Sequence, residues 1–161
     1  MMIDIFIQGK CEPGGSKTGY YIKAMNRVNI VDANKKAAPW KKFIAEEVKG
    51  NLPEDFEMFE EPVIMMATFF LARPKGHMRK DGGLSADGRR KPYPAVKPDA
   101  LKLLRPVEDA LSGIIYRDDA LIIESYMSKV YVNDAEDAGV NVIVMKHAEF
   151  ELDIGIEKRK I

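Results

Sequence analysis

The sequence predicts one small α/β domain, a mixed β-sheet packed by two main helices. Three observations carry that expectation. The 161 residues make one domain and supply enough chain for a core without staples. Several segments have strand length and composition, and two longer stretches carry apolar residues at helical spacing. The domain is expected to span 1–161, with a long mobile basic loop at 73–98 and a mixed-charge tail at 149–161.

Met2–Gln8 alternates and reads as a strand, broken by the Gly/Pro/Ser cluster Glu12–Ser16. Tyr20–Lys23 and Arg27–Val31 flank Ala24–Asn26 as a hairpin. Ala37–Lys49 places Trp40, Phe43, Ile44 and Val48 on one helical face, with Gly50 as its stop. Pro62–Leu71 reads as a buried strand by its length and composition. Arg73–Pro98 holds four glycines and four prolines and reads as the long loop; loops of that length in a compact domain are functional or disordered. Asp99–Ser112 then reads as a helix, with Asp99 as N-cap and Gly113 just past its end. Its apolar face is Leu103, Leu104, Val107, Ala110 and Leu111. Leu101, Lys102, Arg105, Glu108 and Asp109 lie opposite, and Pro106 removes one helical hydrogen bond and should kink the helix. After Ile114–Tyr116, the strands Leu121–Val132 and Val140–Lys146 flank an acidic turn, Asn133–Asp137.

Composition excludes several classes. Cys11 is the one cysteine, and with His77 and His147 it forms no metal-ligand spacing, so disulfides and structural zinc are not expected. No apolar run reaches the length of a membrane span, and Met1–Lys10 does not read as a signal peptide, which points to the cytoplasm. Lysine plus arginine equal aspartate plus glutamate at 25 each, a balance unusual for a nucleic-acid binder. Located along the chain, however, the zero dissolves. Residues 71–105 carry ten basic and three acidic side chains, and 106–161 carry six and twelve. A basic third can hold a polyanion locally, since screening confines each patch to about 10 Å. Its cations include Lys75, Arg79, Lys80, Arg89, Arg90, Lys91, Lys97 and Lys102.

Beside that segment stand carboxylates: Asp99 at a helix start, Glu108 and Asp109 on its polar face, and Asp118 and Asp119 before the next strand. Singly, each has a plainer role, as an N-cap, as an i,i+3 partner of Arg105, or as turn residues. Jointly they suit a divalent cation, because clustered carboxylates repel unless a cation bridges them, and Mg²⁺ takes one or two carboxylates plus a substrate phosphate. Mn²⁺ is the natural substitute. His77, in the basic segment, is expected to be solvated or to touch phosphate rather than to act as a general base.

Lys97-Pro98-Asp99, Leu103, Arg105, Asp109-Ala110-Leu111, Gly113 and Asp118-Asp119 together resemble the RusA-type Holliday junction resolvases, whose pattern is K-P-D-x-D-N-L-x-K-x-x-x-D-A-L-x-G followed by D-D and an apolar strand. Gly14-Gly15-Ser16-Lys17, Val31-Asp32-Ala33-Asn34, Trp40 and Phe70–His77 extend the likeness over most of the chain. The resemblance implies a homodimer that binds four-way DNA and, with Mg²⁺, makes paired nicks. It makes Asp99 and Asp119 essential acids, with Asp118 adjacent and Arg105 at the usual lysine. Where the second Asp of D-x-D belongs, this chain has Leu101, followed by Lys102 for Asn. Seven residues on, Glu108 returns to within ~20° of the same face, ~10 Å further along, and is the candidate replacement. The competing expectation is a degenerate site that binds junctions without cutting them.

Overall fold

The computed structural model describes residues 1–15 and 17–154; Ser16 and the end of the expected tail, 155–161, lie outside the described residues. In chain order the elements are β1 (Met2–Gln8), β2 (Lys17–Ile22), β3 (Arg27–Asp32), α1 (Ala37–Asn51), β4 (Val63–Ala72), α2 (Ala86–Arg90), α3 (Ala100–Leu111), β5 (Ile122–Val132), β6 (Gly139–Lys146) and α4 (His147–Ile154). The main sheet runs β1-β6-β4-β5. β6 pairs antiparallel with β1 and with β4, while β4 and β5 are parallel, so the sheet is mixed as expected. A parallel pair needs a long crossover, and the chain between β4 and β5 is where α2 and α3 form.

Side chains two apart share a face of a strand. Ile3 and Ile7 of β1, Val63, Met65, Ala67 and Phe69 of β4, and Val140, Val142 and Val144 of β6 form one buried layer. Against it pack Trp40, Ile44 and Val48 of α1 and Leu103, Leu104, Val107, Ala110 and Leu111 of α3. α1 runs past Gly50 and ends at Asn51, because Pro53 forces Leu52 into extended geometry (ψ 144°). β2 and β3 form a separate two-stranded ribbon, turned at Asn26 in the left-handed region (φ 46°), which asparagine tolerates.

The segment expected as an open loop, 73–98, contains local structure. Lys75–His77 form a 3₁₀ turn, Met78 and Leu84 bridge, and Ser85 Oγ caps α2 by accepting the Gly88 N–H. His77 is buried, packed edge-on against Tyr131, with Nε2 3.7 Å from Asp87. The solvated or phosphate-touching role expected for it therefore does not hold; loop composition hid a small folded lobe. Arg73 closes the lobe, donating to the carbonyls of Lys91 and Pro92 from a position over the Tyr131 ring. No helix among the described residues is long and apolar enough to cross a membrane.

Candidate active site

The wall of the site is α3. Proline has no N–H to give the carbonyl four residues back, so Pro106 leaves the Lys102 carbonyl without its helical partner. Gly14 N–H donates to it at 2.7 Å instead. That bond lays the Gly14-Gly15-Lys17 side of the β1–β2 connection along α3, and a β-carbon at position 14 would rest against Arg105 and Pro106. The start of α1 supplies the facing wall, where Lys41 Nζ lies 3.5 Å from Asp109. Asp119, opening the 3₁₀ turn Asp119–Leu121, completes a cleft of about 470 Å³ that also takes in Gly14, Gly15, Lys17, Arg105 and Glu108. A second hollow of about 590 Å³ shares Lys17, Arg105 and Glu108 and reaches Leu101 and Lys102. Leu101 and Glu108 thus border one continuous groove, as their helical spacing requires.

Charge in the cleft is unbalanced toward the negative at one spot. Burial, then Asp119 and Asp109, push the Glu108 carboxyl above its ordinary range, and Arg105 only partly opposes them. Beneath it, buried Tyr116 donates its hydroxyl to the Glu108 carbonyl at 2.9 Å. Burial first, then the same three carboxylates, push that phenol far up, so it stays protonated.

The remaining sequence-derived candidates are placed as follows. Asp99 occupies the N-cap position of α3, but its side chain makes no capping bond; exposed, it lies 3.8 Å from Lys102 and is not among the residues lining the cleft. Asp118 accepts the Ala120 N–H and shapes the turn that presents Asp119. Among the basic candidates, Lys75, Lys80 and Lys97 are exposed. Arg79 is paired with Asp81, Arg90 and Lys91 with Asp87, and Arg89 donates to the Leu84 carbonyl. The sequence placed Asp109 among the clustered carboxylates but did not assign Lys17 or Lys41 to the site. The Gly-Gly break before Lys17 was its available signal; the Lys41–Asp109 pair joins two helices distant in sequence and had none.

Among the described residues no three His, Cys or acidic side chains are assembled as a ready-made metal cage. Mg²⁺ does not need one, since one or two carboxylates plus phosphate oxygens and water suffice. Hard oxygen donors at Glu108 and Asp119, crowded enough to raise the Glu108 carboxyl, fit that requirement.

The structure is a small mixed α/β domain whose cleft holds both acidic side chains and cations. The chain is a member of the RusA endodeoxyribonuclease family, whose model matches residues 12–145. That match includes every residue of the cleft. No curated protein matches the chain.

Proposed function

We propose that the protein is a Mg²⁺-dependent, structure-selective endonuclease that resolves four-way DNA junctions by paired nicks, working as a homodimer whose two clefts match the junction's two-fold pseudo-symmetry. The observation that carries this reading is the juxtaposition of Glu108 and Asp119 with Arg105 and Lys17 in one cleft. Glu108 and Asp119 would hold the ion, with Asp99 at the N-terminal end of the same helix as the further acid that the family pattern calls for. Bound there, Mg²⁺ supplies Lewis acidity toward the phosphate and an activated water. Arg105 and Lys17 bind the scissile phosphate and offset the charge that develops on it. Lys41, held by Asp109, limits the negative charge facing the substrate. Lys75, Lys80 and Lys97 contact backbone phosphates further out, a salt-sensitive and sequence-independent contribution.

A second reading, junction binding without cleavage, is favoured by one observation: Leu101 occupies the position of a family carboxylate and is 71% exposed. Incubating the protein with a synthetic four-way junction, with and without Mg²⁺, alongside Asp119→Asn, separates the two. The nuclease reading expects symmetric nicks that need Mg²⁺ and fall at least 100-fold in Asp119→Asn, the scale of losing electrostatic support at a reacting phosphate. Retained binding with no nicks selects the second reading.

A further inference from the structure

Among the described residues the β2–β3 ribbon makes its main contacts within itself, and an isolated two-stranded hairpin is marginal in water. Its register places Tyr21 opposite Val28 and Gly19 opposite Ile30 on one face. Tyr21, Val28 and Ile30 are 58%, 60% and 62% exposed, so this face is an uncovered apolar stripe. The other face presents Tyr20, whose hydroxyl accepts from Asn29 at 2.9 Å. At the foot Lys17 lines the catalytic cleft, and near the tip Lys23 and Arg27 are exposed.

Two occupants could cover such a stripe, and charge decides between them. Residues 17–36 carry five basic side chains and one acidic. A second copy would meet the same net-basic ribbon, like charge against like, whereas a polyanion is attracted by its excess of cations. A two-stranded ribbon also fits the major groove of B-DNA, about 12 Å wide, where apolar side chains meet thymine methyls. Continuity with the cleft supplies direction, since the strand that bears Tyr21 begins at Lys17. Resting on the nuclease reading above, we propose that the β2–β3 ribbon is a DNA-binding arm that lies in a groove of the duplex leading into the cleft, with Tyr21, Val28 and Ile30 against the groove and Lys23 and Arg27 on its phosphates.

The test uses the full chain in EDTA with a fluorescent four-way junction, titrated at several salt concentrations, and sedimentation of each variant. Lys23→Ala/Arg27→Ala should weaken binding roughly tenfold and reduce the slope of log K against log salt by about 1.8, at ~0.9 per phosphate contact. Tyr21→Ser/Val28→Ser/Ile30→Ser should weaken binding with the slope unchanged. Neither should alter the sedimenting mass. Unchanged affinity and slope in the charge variant overturn the arm, as does a fall in mass in the stripe variant, which would make the ribbon a self-association surface. If the parent cuts junctions with Mg²⁺ while both variants bind and cut equally well, the arm alone fails. A parent that does not hold the junction at all removes both this inference and the reading beneath it.

Discussion

Gly14 donates its backbone N–H to the Lys102 carbonyl at 2.7 Å, and that acceptor is free because Pro106 stands four residues further along α3. A residue that weakens a helix is here the device that fastens Gly14 to it, beside the cleft that Gly15 and Lys17 also line. Pro106→Ala restores the helical N–H, which competes with Gly14 for the same carbonyl. An isolated helix would gain up to about 3 kcal/mol from such a change, so the melting temperature is expected to hold or rise. Nicking should fall, about tenfold, as Lys17 loses its placement. Equal losses of stability and activity would show that Pro106 serves packing alone.

Glu108 links the cleft's charge to pH. Its carboxyl is raised by burial and by Asp119 and Asp109, so the folded state holds that proton more tightly than the unfolded chain does. Ionised Glu108 therefore costs stability above its raised pKa, and the cost vanishes as pH falls through that value. In EDTA at pH 7, Glu108→Gln should melt about 1–3 °C above the parent, with the gap closing below about pH 4. Mg²⁺ should reverse the order: tenfold above its dissociation constant it stabilises the parent by about 1.4 kcal/mol and leaves the variant unmoved. An equal Mg²⁺ response in both proteins removes Glu108 from the metal site.

Tyr116 supports the same residue from below. Tyr116→Phe deletes the donor to the Glu108 carbonyl, which keeps the Ser112 N–H at 3.1 Å, so no buried acceptor is orphaned. The expected loss is about 0.5–1 kcal/mol, with nicking within about threefold of the parent. Thermal melts and a nicking assay check this together, and a loss of activity far beyond the loss of stability would make Tyr116 a positioning residue for Glu108.

What could be read in the sequence was what periodicity carries. Trp40, Ile44 and Val48 on α1, Leu103, Val107 and Leu111 on α3, and the alternate residues of β4 all face the core because 3.6- and 2-residue repeats are local properties. The shared groove of Leu101 and Glu108 was legible for the same reason. The lobe around His77 was not, since its glycines and prolines read as punctuation while its order comes from Arg73 capping distant carbonyls and Tyr131 packing on the imidazole. Nor was the withdrawal of Asp99 from the cleft lining, because where an N-cap points depends on tertiary neighbours. The uncovered face of the ribbon needed the register Tyr21–Val28, which alternation in either strand alone does not supply.

Leu101 offers the sharpest test of how this chain meets the demand for acid. The side chain is 71% exposed, so Leu101→Asp removes almost no packing and places a carboxylate at the family's position on the groove that Glu108 also borders. If Glu108 substitutes for the missing acid, Glu108→Gln should cripple nicking in the parent background and be tolerated when Leu101→Asp is present. The double variant would then recover most of the activity that the single one lost. Neighbouring residues serving one ion are not additive, and interaction energies of about 0.5–3 kcal/mol, or up to roughly 150-fold in rate, are the scale on which such a cycle reads. Additive effects would mean that the two positions serve different parts of the site. If Leu101→Asp switches on cutting in a protein that otherwise only binds, the parent site lacks an acid that Glu108 does not replace.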